Sequence, residues 1–293
     1  MTVVHPTSAS LLRRLLIPGL GYNLEYFIMA RYDEIGKGYN SYRKADHRLL
    51  KMLIQLLGLP VGSVVADIGA GTGNYTNGLA EYGYKMKAIE PSEEMRNQAL
   101  FSENVEYIAG SAESIPLADN SVDGVVSTLA IHHFPSMIDA AREMKRICPN
   151  GPIVLFTNDP RLGEEFWFKD YFPEIYQWLF SAYPPVEELA DLVANVGKWS
   201  KSVHRFPLPH DFSDFNMRSG WNRPELYLDP DVRRCMSGFA LASKSEVDDG
   251  VERLRGDLES GRWNEKFGAL RERDSYDLGF VFLKFERCPN SLR

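Results

Sequence analysis

Alternate glycines that follow a short apolar run are the residues of this chain best placed to do chemistry. The run is Val-Val-Ala-Asp-Ile, and Gly69, Gly71 and Gly73 come directly after it. Glycines let a buried strand turn tightly, so that backbone rather than side chain contacts a ligand. Glu90 closes the next apolar stretch about 20 residues on, where a carboxylate can accept hydrogen bonds from a ribose. These residues predict a site for an adenosine-containing ligand.

The spacing of the glycines distinguishes between two kinds of adenosine-containing ligand. Dinucleotide sites read G-x-G-x-x-G, and their third glycine lets a helix begin close to a pyrophosphate. This chain has Asn74 at the position of that third glycine. Asp67 adds a negative charge just before the turn, which suits an ammonium group or hydroxyls better than a pyrophosphate. The spacing therefore favours a ligand other than a dinucleotide.

The segment from Asp67 to Gly73 resembles the first motif of class I S-adenosylmethionine-dependent methyltransferases, which reads D-x-G-x-G-x-G. The resemblance covers residues 32–159, and within the family it is to the type 11-like methyltransferases, which act on small molecules. It implies an α/β fold with a doubly wound, seven-stranded, mostly parallel sheet of Rossmann-like type, and S-adenosyl-L-methionine as cofactor. It also implies which residues hold the cofactor at the first two strand ends: Asp67, Gly69, Gly71, Gly73, Glu90 and Pro91.

Two further segments resemble parts of the family that contact the cofactor. Ser111, Ala112 and Glu113 follow the third predicted strand, where the resemblance implies contact with the adenine edge. Alternatively, this segment begins a helix, with Glu113 as an acid in its first turn. Thr128 and Leu129 end the fourth predicted strand, and the resemblance implies that they approach the methionine moiety through their backbone.

A segment ahead of the core resembles the part of the family that folds over the bound cofactor. It contains Tyr39 and Arg43. An arginine can bind the methionine carboxylate through two hydrogen bonds, and a tyrosine ring can cover the sulfonium. The alternative is a surface helix whose charges are solvated.

Three histidines are candidate catalytic residues, because a histidine can take a proton from an acceptor near neutral pH. His132 and His133 follow the fourth strand, and His210 precedes Asp211, which could orient it. The alternatives are packed, hydrogen-bonded histidines, and a helix cap at Asp211 or Ser213. We expect no metal site, since consecutive histidines on a strand or loop point apart and no acidic partner stands at ligand spacing.

Strand and helix patterns alternate regularly up to residue 159. Strands are predicted over 63–68, 85–90, 105–109, 123–129 and 152–157, and helices over 45–57, 75–84, 92–100 and 137–147. Such alternation indicates parallel strands joined by right-handed crossovers. The cofactor is then expected outside the carboxyl ends of the strands, at the point where the strand order reverses.

The alternation becomes irregular after residue 159, which divides the chain into parts. We assign 1–30 to an N-terminal helical arm, 31–159 to the cofactor-binding core, 160–184 (the first insertion) and 211–273 (the second insertion) to a helical lid, and 185–210 and 274–293 to completion of the sheet. The completing segments contain a helix over 186–196 that Gly197 closes, and strands over 201–208 and 276–286. Aromatic residues are dense over 166–173, which suits an apolar or aromatic acceptor, although such rings more often pack as core.

Composition limits the partners of the chain. Its 293 residues are 44% apolar and carry a net charge of −7 without any basic block, which argues against nucleic acid, a partner that requires a positive surface. A small-molecule acceptor is therefore expected. Three widely separated cysteines, Cys148, Cys235 and Cys288, lack metal-ligand spacing and indicate reduced thiols in a cytoplasmic protein.

The N-terminal arm contains an apolar run that Arg13 and Arg14 interrupt. It is too short and too charged to span a bilayer, so we expect no stable membrane insertion. It could pack over the cofactor site or against a second subunit of a homo-oligomer, and an interfacial membrane helix is a further alternative.

Taken with the resemblance, the sequence predicts transfer of a methyl group from S-adenosylmethionine to a small, hydrophobic or aromatic metabolite of secondary metabolism by in-line displacement. An oxygen is the first expectation for the acceptor atom, with carbon or nitrogen as alternatives. In such a reaction the protein mainly aligns the nucleophile and excludes water. Two other functions stay open: a non-catalytic subunit that binds the cofactor, and a nicotinamide-dependent reductase, against which Asn74 counts.

Overall fold

A computed structural model describes residues 42–287, in which strands alternate with helices. The strands are β1 Val64–Ile68, β2 Lys85–Ile89, β3 Val105–Ile108, β4 Gly124–Thr128, β5 Ile153–Asn158, β6 Trp199–Arg205, β7 Leu208–Pro209, β8 Ser275–Tyr276 and β9 Phe280–Arg287. The α-helices are α1 His47–Leu57, α2 Asn74–Tyr82, α3 Glu93–Asn97, α4 Met137–Ile147, α5 Pro173–Ala182, α6 Val186–Gly197, α7 Pro230–Arg234, α8 Ser237–Leu241, α9 Lys244–Glu259 and α10 Arg262–Phe267.

Seven strands form one sheet in the order β3-β2-β1-β4-β5-β9-β6. Strands β1 to β5 pair in parallel, and β9 lies antiparallel between β5 and β6. The predicted seven-stranded, mostly parallel α/β sheet is thereby confirmed. The chain order reverses between β1 and β4, so a crevice for a ligand is expected at their carboxyl ends. Strands β7 and β8 form a separate two-stranded ladder that the sequence did not predict.

Alternate residues of the central strands bury opposite faces of the sheet, as the two-residue period of a strand requires. On one face, Val65 packs with α1, α2 and the helices of both insertions. On the other face, Ala66 packs with α4 and α6. Asp46 caps the first turn of α1, and Gly58 ends that helix with φ +60°. Caps at both ends and the burial of one face thus define α1.

The aromatic segment 166–172 is packed into the core. Trp167 is 2% exposed, and its ring meets the ring of Trp263 edge-on at 5.4 Å between centroids. Its Nε1 donates a hydrogen bond to the carbonyl of Trp221 at 2.7 Å. These contacts join the first insertion to the second. The rings therefore pack as core, which was the alternative to a role in binding the acceptor. Whether the two insertions cover an acceptor stays a prediction.

The end of α6 differs from the prediction that Gly197 closes it. Gly197 is still helical, and Lys198 adopts the left-handed conformation with φ +56°. The glycine is required for another reason, because a Cβ at Gly197 would lie 1.9 Å from the ring of Trp199. A close approach to the next strand, and not a left-handed turn, explains this residue.

The last two strands also end elsewhere than predicted. Strand β6 ends at Arg205, and the final strand begins at Phe280, while Tyr276 belongs to β8. Gly279 separates the two with φ +81°, and a Cβ there would lie 2.0 Å from the carbonyl oxygen of Asp159. The chain therefore turns tightly at Gly279 before it enters the main sheet.

Several predicted features lie outside the described residues, namely the N-terminal arm over 1–30, Tyr39 and Cys288. Cys148 and Cys235 are buried free thiols. Within residues 42–287, no helix combines the length and apolar character needed to cross a membrane.

Candidate cofactor and acceptor site

The loop after β1 has a backbone that only glycine adopts readily. Gly69, Gly71 and Gly73 have φ values of +75°, +57° and +82°. A Cβ at Gly69 would lie 2.5 Å from the Cβ of Ala130, and one at Gly73 would lie 1.6 Å from the hydroxyl of Tyr107. A Cβ at Gly71 would meet no atom within 4 Å. The loop is therefore packed at both ends and open in the middle, where a ligand can approach the backbone.

Glu90 ties the end of β2 to this loop. Its side chain is buried, and its Oε2 accepts a hydrogen bond from the amide of Gly71 at 2.8 Å. Its Oε1 accepts one from the amide of Ser92 at 2.9 Å. Burial raises the pKa of Glu90 above its ordinary value. Each carboxylate oxygen retains a second lone pair, so Glu90 can still accept hydrogen bonds from ribose hydroxyls.

Asp67 lies at the end of β1 and is 2% exposed. Its Oδ2 accepts a hydrogen bond from the hydroxyl of Thr76 at 2.6 Å, and its Oδ1 is buried without a partner. Burial raises the pKa of Asp67 to about 6, and the charge of Glu90 contributes in the same direction. A buried oxygen without a partner costs free energy that a donor on a ligand would recover.

Tyr107 on β3 is a site residue that the sequence analysis missed. Its hydroxyl donates a hydrogen bond to the carbonyl of Thr72 at 3.2 Å. Burial raises the pKa of Tyr107, and the charges of Asp67 and Glu90 raise it further. The sequence carried no local signal for this residue, because the contact depends on the strand order β3-β2-β1 within the sheet.

Thr128 and Leu129 end the neighbouring strand β4. The hydroxyl oxygen of Thr128 is buried and has no hydrogen-bond partner among the described residues. Leu129 has φ +53°, a conformation that residues other than glycine adopt rarely and that tends to occur at functional sites. Strands β1 and β4 are paired, with Asp67 opposite Val126. Both residues thus lie at the predicted edge of the sheet.

The segment after β3 contains no helix, so the alternative of a helix start at Ser111 is wrong. Ser111 forms an isolated bridge with Ser114, and Ala112 is buried. Glu113 accepts a hydrogen bond from the amide of Ser136 at 3.3 Å, just ahead of α4. The roles of Ser111, Ala112 and Glu113 at an adenine edge stay predictions. Pro91, next to Glu90, likewise stays a predicted contact.

Arg43 was predicted to bind the methionine carboxylate of the cofactor, but in the structure its guanidinium binds a carboxylate of the protein. Its Nη2 donates to Oδ2 of Asp214 at 3.3 Å, and its Nε pairs with Oδ1 of the same carboxylate. Asp214 is 1% exposed and also accepts a hydrogen bond from the hydroxyl of Tyr75 at 3.1 Å. The carbonyl of Arg43 accepts from the side-chain amide of Asn74 at 2.6 Å. Arg43 therefore supports the start of α2 beside the glycine loop.

His132 and His133 lie on a short 3₁₀ turn and do not point apart as predicted, because their ring centroids are 3.8 Å apart. The hydroxyl of Tyr183, at the end of α5, lies 3.4 Å from Nε2 of His132. Burial lowers the pKa of His132 well below its ordinary value and that of His133 to about 4. Both rings are therefore neutral at pH 7. Nδ1 of His132 is buried without a hydrogen-bond partner.

The predicted pair of His210 and Asp211 is wrong. His210 is exposed, and its Nδ1 lies 3.3 Å from the carbonyl of Asp274. Asp211 accepts a hydrogen bond from Arg48 at 2.6 Å, so it does not orient His210. No helix begins at Asp211 or Ser213 either.

The structure thus brings most of the predicted cofactor residues to one edge of the sheet, at the ends of β1, β2 and β4, and leaves His210 outside it. No group of three or more histidine, cysteine or acidic side chains in the described part of the chain could hold a metal ion. The arrangement combines two buried carboxylates, an open glycine backbone and two neutral histidines.

A family described as a methyltransferase domain matches residues 66–156, the span from β1 to β5. A solved structure from Anabaena variabilis, described as a methyltransferase from an antibiotic biosynthesis pathway, is 43% identical, covers 83% of this chain and 98% of its own, and superposes with a TM-score of 0.81. The chain belongs to the S-adenosylmethionine-dependent methyltransferase family.

Two curated methyltransferases are more distant relatives. A malonyl-[acyl-carrier protein] O-methyltransferase from a Marinomonas species is 28% identical over 56% of this chain and 64% of its own length. A demethylmenaquinone methyltransferase from Bacillus licheniformis is 28% identical over 60% of this chain and 89% of its own length. The match to the first thus spans less than two thirds of that protein. Because the two enzymes are named for different acceptors, family membership does not name the acceptor of this chain.

S-adenosylmethionine is the cofactor of this methyltransferase family, and the residues at the edge of the sheet fit it. Oδ1 of Asp67 and the hydroxyl of Thr128 are buried without partners, so a polar ligand would satisfy both. Space at Gly71 admits a ligand against the backbone, and Glu90 stands beside it. The carboxylates, the threonine hydroxyl and the exposed backbone together suit a cationic ligand that carries ribose hydroxyls.

Proposed function

We propose that this chain transfers a methyl group from S-adenosylmethionine to a small, apolar or aromatic acceptor. The observation that carries the proposal is the geometry of the glycine loop, in which Glu90 holds the amide of Gly71 while Asp67 keeps one buried oxygen without a partner. Oxygen is the acceptor atom we favour, with carbon or nitrogen as alternatives. The antibiotic biosynthesis pathway of the Anabaena variabilis relative supports an acceptor from secondary metabolism. The free thiols of Cys148 and Cys235 support a reaction in the cytoplasm.

The residues of the chain would bind and orient the two reactants. Glu90 would accept hydrogen bonds from the ribose, and Asp67 would face the cationic part of the cofactor. When bound, S-adenosylmethionine supplies a methyl group that its sulfonium has already activated. What remains for the protein is alignment of the nucleophile and exclusion of water. Arg43 contributes indirectly, since its carbonyl holds Asn74 at the start of α2.

The histidine pair would face the acceptor at the end of β4. Nδ1 of His132 is buried and has no hydrogen-bond partner, so it can accept a hydrogen bond from a hydroxyl of the methyl acceptor. Because burial lowers its pKa, His132 is a weak base and suits an acceptor that gives up its proton easily. Tyr183 belongs to the first insertion and contacts His132, which supports the assignment of that insertion as a lid.

The test combines cofactor binding with detection of product. Titration with S-adenosylmethionine and, separately, NAD would show which cofactor binds, and we expect only the former. Incubation with S-adenosylmethionine labelled in its methyl group and an extract of host metabolites, followed by mass spectrometry, would identify the acceptor. The Glu90→Gln variant, which is expected to bind the cofactor more weakly, should yield less product when S-adenosylmethionine is below saturation. Tight binding without labelled product would instead favour a non-catalytic subunit, and binding of NAD would favour a reductase.

A further inference from the structure

Arg218 is a buried cation that the proposed cofactor site does not use. It lies in the loop between β7 and α7 and is 3% exposed. Its Nη1 donates a hydrogen bond to the carbonyl of Leu278 at 2.6 Å. Its Nε and Nη2 are buried and have no hydrogen-bond partner, and no carboxylate within residues 42–287 forms an ion pair with it. Two of its donor groups are therefore directed at no protein acceptor.

Asp159, a carboxylate whose charge raises the pKa of Arg218, is already engaged elsewhere. Oδ1 of Asp159 pairs with Nε of Arg161 at 2.7 Å, and its Oδ2 accepts from the amide of Val186 at 2.8 Å. Burial lowers the pKa of Arg218 to about 10, so its guanidinium is positively charged at neutral pH. A buried charge without an ion-pair partner is costly to a fold, and a residue kept in that state suggests a ligand that completes it.

Asn158 shares the anchor of Arg218. It is the last residue of β5, and its Nδ2 donates to the same carbonyl of Leu278 at 2.8 Å. Its Oδ1 is buried without a partner. Beside the carbonyl oxygen of Leu278 there are thus two nitrogens of Arg218 that lack a hydrogen-bond acceptor and one oxygen of Asn158 that lacks a donor.

This group lies on the acceptor side of the proposed site. Strand β5 pairs with β4, which leads into the turn that holds His132. Tyr183 contacts His132 and is also close enough to Arg218 to act on it electrostatically. The same carboxyl edge of the sheet thus carries the cofactor residues, the histidines and the unpaired cation.

We propose that Arg218 and Asn158 bind an ionised oxygen, carboxylate or phenolate, of the methyl acceptor. Nε and Nη2 form one edge of the planar guanidinium, and this edge binds two oxygens of a carboxylate side by side. Oδ1 of Asn158 would accept from a neighbouring hydroxyl or N–H group of the same molecule. The inference rests on the proposed function and narrows its substrate to an organic acid. Where that ionised oxygen is also the atom that receives the methyl group, it carries no proton to remove, and no base is needed; where another atom of the acceptor is methylated, His132 takes its proton.

The test compares benzoate with its neutral analogue benzamide. Both would be titrated into the full-length protein saturated with S-adenosylhomocysteine, with thermal stabilisation and calorimetry as readouts. Wild-type protein is expected to bind benzoate more tightly than benzamide. Arg218→Met should weaken benzoate binding at least about tenfold and leave benzamide unaffected, since it removes one charge-assisted pair of hydrogen bonds. Arg233→Met is the matched control, because Arg233 is a half-buried arginine that also donates to a carbonyl, that of Tyr227.

Other outcomes overturn the proposal. If wild-type protein binds the two probes equally or binds neither, or if Arg218→Met retains the preference for benzoate, Arg218 does not recognise an anion. A purely structural arginine would make Arg218→Met melt at a lower temperature, whereas loss of an unpaired buried charge is expected to leave the melting temperature unchanged or raise it. S-adenosylmethionine affinity is measured separately on wild-type protein; its absence would refute the proposed function, and its presence with no anion preference would refute only this inference.

Discussion

Glu90 accepts a hydrogen bond from the amide of Gly71 at 2.8 Å, and this contact joins the end of β2 to the loop after β1. The carboxylate proposed to bind the ribose is thus also the group that holds the loop in place. Ligand recognition and loop geometry therefore depend on one side chain, and a change at Glu90 acts on both.

Glu90→Gln should weaken S-adenosylmethionine binding by about 2 kcal/mol, because the amide both loses the charge and turns one donor toward a backbone N–H. Calorimetric titration measures the change. Glu106→Gln is the control, since Glu106 is an exposed carboxylate on the adjacent strand β3 that pairs with Lys87. Equal affinities for wild type and Glu90→Gln would remove Glu90 from the cofactor site.

Gly71→Ala should lower affinity for the cofactor more than it lowers stability. The new Cβ meets no protein atom within 4 Å, so the cost to the fold is the left-handed backbone alone, about 1–2 kcal/mol. The Cβ would occupy space that the cofactor needs. Gly62→Ala is a close control, because Gly62 has φ +90° and an equally open environment in the turn before β1. If both variants bind S-adenosylmethionine alike, the cofactor does not contact Gly71.

Asp67 should make the stability of the ligand-free protein depend on pH. Its pKa is about 6 in the folded protein against 3.8 ordinarily, so the folded state holds the proton more tightly than the unfolded state does. This contribution to the free energy of unfolding is fully present below pH 3.8 and is lost as the pH rises through 6. The loss is about 3 kcal/mol. Urea unfolding between pH 4 and pH 7 would measure it, and Asp67→Asn should show a correspondingly smaller decline. Parallel curves for the two proteins would contradict the raised pKa.

The histidine pair should leave the rate of methyl transfer insensitive to mild acid. Burial lowers the pKa of His133 to about 4 and lowers the pKa of His132 well below its ordinary value of 6.5, so both rings stay neutral in mild acid. With saturating cofactor, kcat is expected to be flat from pH 8 to about pH 5.5. A fall of kcat centred near pH 6.5 in the wild type that disappears in His132→Gln would show that His132 titrates normally.

The sequence predicted those parts of the fold and site that depend on short segments. The order of strands and helices follows from local periodicity, and Asp67, the glycines and Glu90 lie within one strand–helix–strand unit. The partners of Arg43 and His210 could not be predicted in this way. Asp214 is 171 residues from Arg43, and the carbonyl beside His210 belongs to Asp274, 64 residues away.

Arg218 shows the same limit for the acceptor side of the site. It lies in a loop without periodicity, and what distinguishes it is burial without an acceptor for two of its nitrogens. Its anchor, the carbonyl of Leu278, comes from a segment 60 residues away that enters the last strand. Such a group cannot be identified from the sequence, because its burial depends on how the second insertion packs against the sheet.

Two Arg–Asp ion pairs should contribute unequally to stability, because one is buried and the other is exposed. Asp214, paired with Arg43, is 1% exposed, whereas Asp211, paired with Arg48, is largely exposed. Asp214→Ala should lower the free energy of unfolding by about 3–5 kcal/mol because it removes the carboxylate that forms an ion pair with the partly buried guanidinium of Arg43. Asp211→Ala should cost less than about 1 kcal/mol, since water solvates both of its charges. Urea denaturation measures both values.

The Asp214 variant should also weaken cofactor binding, because Arg43 holds the side chain of Asn74 at the start of α2 through its carbonyl. The double variant Arg43→Met/Asp214→Ala separates the two effects. It removes the guanidinium charge together with its carboxylate and should recover part of the stability, while cofactor affinity stays low if the position of Arg43 matters to the glycine loop. Full recovery of both quantities would mean that this ion pair does not position the cofactor site.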